Sequence, residues 1–159
     1  MLQYLYMENL KPQSVHKVLA TSYLTYFLLC SIGLCLSIFF PIKFSVPNAS
    51  LFATLCFILG PALMSWAQIT SHIFEKVKIQ TGVVCFNKGP YRYLRNPTQL
   101  GLVILVLGYA FATGTAMLFI TTGVAYILSN IFFKKHESIL ADKYGEAYLK
   151  YKASVKKVL

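Results

Sequence analysis

Two polar clusters in this chain carry residue types that bind and orient small ligands, and both border long apolar runs. The first is Asn87-Lys88-Gly89-Pro90-Tyr91-Arg92-Tyr93-Leu94-Arg95-Asn96-Pro97-Thr98-Gln99-Leu100-Gly101. Gly89-Pro90 and Asn96-Pro97 are turn dipeptides, and between them two arginines three positions apart interleave with two tyrosines. Arginine presents a planar fork to a carboxylate or phosphate. Tyrosine presents a stacking face, and a helix starting after the turn offers unbonded N–H groups to an anion. An interfacial anchor with its cations on lipid headgroups suits the same residues equally well. The second cluster is Lys134-Lys135-His136-Glu137. Its carboxylate can pair with Lys134 or Arg95, or accept hydrogen bonds from the hydroxyls or amino group of a cofactor. His136 alone is weak evidence of catalysis. No two histidines have metal-ligand spacing, so no metal is expected.

The elements that must position these clusters follow from composition. Of 159 residues, 57% are hydrophobic and 13% charged, against roughly 25% charged in soluble domains. That is too little charge for a water-facing surface, and it specifies an all-α integral membrane protein with a single domain over residues 1–159. The net charge of +10 belongs with membrane topology and anionic headgroups rather than nucleic acid. Cys30, Cys35 and Cys56 lie in apolar runs and Cys85 in a loop, without zinc or CxxC spacing. They read as small buried hydrophobes.

Charge-free runs cover Val18 to Phe40 and Ala49 to Thr70, 23 and 22 residues, each enough to cross a bilayer core. Pro61 is expected to kink the second. A third run, Gln99 to Phe133, has 35 residues and as one helix would reach about 52 Å. A hairpin turning near Ala112-Thr113-Gly114-Thr115 gives two short spans instead. Counting cations decides between them. Four crossings put 14 of the 15 Lys and Arg on one side, whereas three divide them 7 to 8. The positive-inside rule therefore predicts four spans (18–40, 49–70, 99–112 and 115–133) with both termini, the 71–98 loop and the 134–159 tail in the cytoplasm.

The N-terminal stretch lacks a strongly basic start and a small-residue cleavage site, so a removable signal peptide is not expected. Leu140, Tyr144, Ala147, Tyr148 and Tyr151 recur at helical spacing, predicting an amphipathic tail helix in the interface, with a bend at Gly145. No ionisable residue falls inside a predicted span, which argues against an ion-coupled transporter. Ser31, Ser37, Thr54, Gln68, Thr121 and Asn130 read as helix-packing groups. Chemistry is therefore expected at the cytoplasmic face.

Gly89-Pro90-Tyr91-Arg92-Tyr93-Leu94-Arg95-Asn96-Pro97, with Gly101, resembles the signature of isoprenylcysteine carboxyl methyltransferases and related phospholipid methyltransferases, G-P-Y-R-[YF]-[VL]-R-[HN]-P-x-Y-x-G. The tail is similar to that family's closing pattern, E-E-x-x-L-x-x-x-[FY]-G-x-x-Y-x-x-Y, met by Glu137, Leu140, Tyr144, Gly145, Tyr148 and Tyr151. The likeness extends from about Leu59 to Tyr151 and includes Trp66. Gln99 stands in place of the usual Tyr, His136 takes the first position of the paired glutamates, and Lys156 and Lys157 stand where an Arg is frequent.

The resemblance implies a membrane enzyme that transfers methyl from S-adenosylmethionine, without metal, to a lipophilic acceptor. A carboxylate acceptor of the isoprenylcysteine kind is favoured, with a phospholipid amine or a non-catalytic scaffold or carrier as alternatives. It further implies that Arg92 and Arg95 orient an anionic group, with Asn96 beside them in the catalytic set. Glu137, His136 and Asn96 would hydrogen-bond the cofactor and Tyr91 and Tyr148 would wall it. Gly89, Pro97 and Gly101 would shape its turn.

Overall fold

A computed structural model describes residues 15–43, 45–81 and 88–155. The chain is all-helical among these residues: α1 (Val15–Phe39), α2 (Ala49–Thr81), a 3-10 turn (Gly89–Arg92), α3 (Pro97–Thr113), α4 (Ala116–Tyr144) and α5 (Glu146–Ser154). Three helical stretches are long and apolar enough to cross a membrane, Ala20–Phe39, Ala49–Phe74 and Ala116–Asp142, and Pro97–Thr113 is a shorter apolar helix. Large apolar side chains face outward along them, among them Phe27, Ile38, Ile58 and Ile127. Such a surface suits hydrocarbon, where a helix satisfies its own backbone polar groups.

The 35-residue charge-free run is two helices. α3 opens with Pro97, whose missing N–H costs nothing in a first turn, and closes on Gly114 at φ 60°. The Gly114 N–H donates to the Ala110 carbonyl at 3.0 Å. The Thr113 and Thr115 hydroxyls pair at 2.9 Å across the turn, and Phe111 and Phe119 meet edge to face at 5.1 Å between the legs.

α2 runs antiparallel to α3, with Phe52 against Phe111 and Phe57 against Tyr109 near one end. Further along, Gly60 and Gly101 face each other, and a Cβ on Gly101 would lie 2.8 Å from the Gly60 carbonyl oxygen. α1 packs antiparallel on α4, where the Tyr26 hydroxyl donates to Ser129 Oγ at 3.1 Å. Tyr26, Val106 and Ala125 form a buried core that joins α1, α3 and α4. At one end, the Ala116 N–H donates to the Ile42 carbonyl at 3.0 Å, tying the α1–α2 loop to the α3–α4 turn. The 3-10 turn, the end of α4 and α5 therefore share the opposite end.

Several sequence expectations change. α2 continues to Thr81 and α4 to Tyr144, past the predicted span ends at Thr70 and Phe133, because no helix breaker intervenes and the added turns bear polar side chains. The tail is not one helix from 134: its first part belongs to α4, and Gly145 at φ 55° separates it from α5. The polar residues expected to pack helices together mostly bond back to their own helix. Ser31, Thr54, Thr121 and Asn130 each reach the carbonyl four residues earlier, and Ser37 the one three earlier. Cys35 is exposed rather than buried. Cys85, Lys156, Lys157 and the chain before Val15 lie outside the described residues.

The glycine contact yields a test. Gly101→Val would drive a side chain into backbone that cannot yield, and overpacking of this kind costs about 1–3 kcal/mol. Gly123, on an open stretch of α4, has nothing within 4 Å of a built Cβ. Thermal unfolding in detergent should show a clear loss for Gly101→Val and none for Gly123→Ala. Equal behaviour of the two variants would contradict the α2–α3 packing.

Candidate active site

The turn before α3 is stiffened at both ends. Gly89 adopts φ 56°, and a Cβ there would also lie 2.5 Å from Thr70 Oγ1, so the position needs glycine on two counts. Pro90 and Pro97 are fully buried, and the Tyr93 and Leu94 amides donate to the Pro90 carbonyl at 3.1 and 3.0 Å. Arg95 leaves this turn toward the end of α4. Its Nη1 donates to Glu137 Oε1 at 3.2 Å and its Nε to the Val155 carbonyl at 2.6 Å. Lys152 Nζ meets the other carboxylate oxygen, Oε2, at 2.7 Å. Glu137 is only 7% exposed; an unpaired carboxylate would be costly there, so the two cations are what allow its burial. With two cations and one anion, the cluster carries one net positive charge.

A tyrosine layer closes this cluster. Tyr148, Tyr151 and Val155 are buried together against Tyr91, Leu140, Ala141 and Tyr144. The Tyr151 hydroxyl donates to the Tyr91 carbonyl at 2.8 Å, and the Tyr91 ring leans on Phe74 of α2 at 5.6 Å. Burial pushes the Tyr91, Tyr148 and Tyr151 phenols above their ordinary range. The Glu137 charge adds to the rise at Tyr148 and Tyr151, and Arg95 opposes it.

Beside the cluster lies a small open cleft between α1, α3 and α4. Ser22 and Tyr23 come from α1, and Phe132, Phe133 and His136 from α4; the Asn96 turn and the start of α3 supply the remaining wall. Successive helical residues diverge by about 100°. Glu137 accordingly joins Arg95 and the tail while His136 lines the cleft. Arg95 and Asn96, in the non-helical turn before α3, also divide between cluster and cleft, and the Asn96 amide donates to Gln99 Oε1. His136 Nε2 is buried and has no hydrogen-bond partner among the described residues.

The residues singled out in the sequence thus fall into three groups. Tyr91, Arg95, Glu137 and Tyr148 meet in the ionic and tyrosine cluster, while Asn96 and His136 line the adjoining cleft. Gly89, Pro97 and Gly101 shape the backbone nearby. Arg92 stands apart, exposed, with its guanidinium 5.9 Å from the Tyr93 ring centre. Lys152, the Val155 carbonyl, Ser22 and Tyr23 were not expected. Lys152 was one of seven tail lysines, and only the Gly145 bend brings it onto Glu137, where Lys134 had been the candidate.

Phospholipid methyltransferases are the family whose model matches this chain, over residues 48–147. The chain belongs to that family. No curated protein and no solved structure matches it. The matched stretch runs from the start of α2 into α5 and contains the turn, Arg95, His136 and Glu137, while the α1 wall of the cleft lies outside it. Phospholipid methyltransferases are membrane methyltransferases that generally use S-adenosylmethionine. The residues present suit that group: the net-positive cluster, with Arg95 and Glu137 largely buried and Lys152 partly exposed, can take its carboxylate, and the adjoining wall supplies uncharged hydrogen-bonding side chains.

The tyrosine layer makes its own prediction. Unfolded tyrosine ionises near about 10, and the folded phenols of Tyr148 and Tyr151 sit well above that. Their stabilising contribution is complete below the unfolded value and is lost as pH rises through the folded ones. Tyrosinate absorbance in detergent should show some of the 11 tyrosines ionising only as the protein unfolds. A smaller late fraction in Tyr148→Phe/Tyr151→Phe would support the assignment. Ordinary titration of all the tyrosines would refute it.

Proposed function

We propose that this phospholipid methyltransferase family member transfers a methyl group from S-adenosylmethionine to the amine headgroup of a lipid-like acceptor at the cytoplasmic edge of the membrane. The observation that carries the reading is the pairing of a net-positive cluster around the buried Glu137 with an uncharged cleft across a shared wall of Asn96 and the 136–137 turn of α4. One domain with four crossings supports this arrangement, α3 being the shortest. The contact between the α1–α2 loop and the α3–α4 turn, together with the 14-to-1 division of cations, favours cytoplasmic termini and a cytoplasmic active end.

S-Adenosylmethionine, when bound, supplies a methyl on a sulfonium, which is activated without a metal. In this reading Arg95 and Lys152 bind the donor's carboxylate. Glu137 has lone pairs beyond the two in use and accepts from its ammonium or hydroxyl groups. Tyr91 and Tyr148 wall the donor and Asn96 hydrogen-bonds it. Pro97 and Gly101 hold the turn against α2, so these groups are fixed before binding, which is how positioning accelerates a displacement. The acceptor follows from charge. A carboxylate acceptor needs a further cation, yet Arg95 and Lys152 are taken by the donor in this reading, Arg92 faces outward, and no Lys or Arg lines the cleft. Aromatic walls at Tyr23, Phe132 and Phe133 favour an ammonium-bearing headgroup.

Calorimetry in detergent tests the donor site. S-Adenosylhomocysteine should bind the wild-type protein, and Arg95→Ala and Glu137→Gln should each weaken it at least tenfold, about 1.4 kcal/mol or more. Labelled methyl should then appear on phosphatidylethanolamine in nanodiscs and not on S-farnesylcysteine. No binding at millimolar ligand would leave a scaffold or carrier as the better description, and labelling of the carboxylate alone would reverse the acceptor assignment.

A further inference from the structure

His136 is the one buried side-chain group among the described residues whose hydrogen-bonding nitrogen has no partner. It sits in the cleft rather than in the ionic cluster, although Glu137 follows it directly. Its surroundings separate sharply by element. α1 contributes Tyr23, and α3 with its preceding turn contributes only the uncharged Asn96, Thr98, Gln99 and Leu102. On its own helix, Glu137 has both oxygens held by Arg95 and Lys152. No charged side chain lines the cleft, and the unpartnered buried nitrogen of its wall, His136 Nε2, is the basic atom nearest to an acceptor headgroup bound there.

We propose that His136 is a catalytic residue, the proton acceptor for the headgroup nitrogen of the methyl acceptor, rather than a ligand of the methyl donor. This rests on the methyl-transfer reading above. An aliphatic amine arrives protonated at neutral pH and has no lone pair with which to attack. In the step assigned to His136, one N–H bond of the ammonium breaks and its electron pair stays on nitrogen. The proton is bound by the Nε2 lone pair, giving an imidazolium that later releases it to water. A neutral imidazole binds a proton reversibly, which is what that exchange requires. The freed nitrogen lone pair is the nucleophile that methyl transfer requires. Nothing on the donor side demands a base, because loss of the sulfonium charge releases no proton from the donor.

The test reads protonation and binding as well as turnover. Protein labelled with ¹⁵N-histidine in nanodiscs, without donor, is titrated with dodecylphosphoethanolamine and separately with dodecylphosphocholine, whose quaternary nitrogen has no proton to give. Of the three histidines, the one whose signal disappears in His136→Gln should shift as its Nε2 accepts the ammonium's hydrogen bond and stay in place with the choline, which has no N–H to donate. His136→Gln should bind S-adenosylhomocysteine within twofold of wild type. Its turnover on phosphatidylethanolamine should fall at least tenfold at neutral pH, as expected for loss of a general base, and recover as rising pH frees the amine. An unmoved histidine, identical responses to both amphiphiles, or loss of S-adenosylhomocysteine affinity in step with turnover would overturn the role. Should wild-type protein bind no S-adenosylhomocysteine, the methyl-transfer reading fails on that arm alone, and the amine titration still reports on His136.

Discussion

A carboxylate almost fully removed from water at the end of a membrane helix cannot stand alone, and the burial of Glu137 organises everything around it. Its two oxygens are met from two directions, by Arg95 from the turn before α3 and by Lys152 from the tail. Either cation alone would leave part of the carboxylate undercompensated in a region of low dielectric. The demand reaches far along the chain. α4 must run past the apolar stretch to present Glu137, Gly145 must turn the chain back, and Val155 must end beside the guanidinium so that Arg95 Nε is satisfied too. The tyrosine layer covers Arg95 and Glu137 on one side, and the same burial raises the phenol pKa values of Tyr148 and Tyr151.

The scaffold meets this demand with close helix contacts. Gly60 and Gly101 let α2 and α3 approach until backbone nearly touches backbone, which fixes the start of α3 and hence the turn that carries Arg95. The α1–α4 pair is held separately, by Tyr26 on Ser129 and by a small core shared with α3. The cleft opens where these two pairs diverge. A polar cluster on the α2–α3 side and an apolar-walled cleft on the α1–α4 side then share the Asn96 boundary, an arrangement suited to one water-soluble and one lipid-like ligand.

Much of this was legible in the sequence. Runs without charge marked the apolar helices, and the 14-to-1 division of cations argued for splitting the third run. Gly114 and Thr115 stand at its break. The paired motifs pointed to Arg95 and Glu137 as partners, and the Gly145 bend was readable from its poor helix propensity. What the sequence could not supply depended on three-dimensional placement. Lys152 is one lysine among many, and nothing local distinguishes it from Lys134 or Lys150. Arg92 and Arg95 look equivalent in the motif, yet the 3-10 turn sends one to solvent and the other inward. The tail tyrosines fit an interfacial helix as well as a packed layer, because helical periodicity reports that a face is apolar and not what covers it. Tyr23 joins the cleft from a helix outside both motifs.

The central claim is that Arg95, Glu137 and the folded-back tail jointly hold one small methyl donor by its carboxylate and ammonium end. Ultraviolet cross-linking of radiolabelled S-adenosylmethionine to the protein in nanodiscs, followed by peptide mapping, addresses it directly. The account predicts label in two separate stretches, one around Tyr91 to Asn96 and the other between Glu137 and Lys152, both suppressed by excess S-adenosylhomocysteine. Label confined to the α1–α2 loop and the α3–α4 turn, at the opposite end of the bundle, would contradict it.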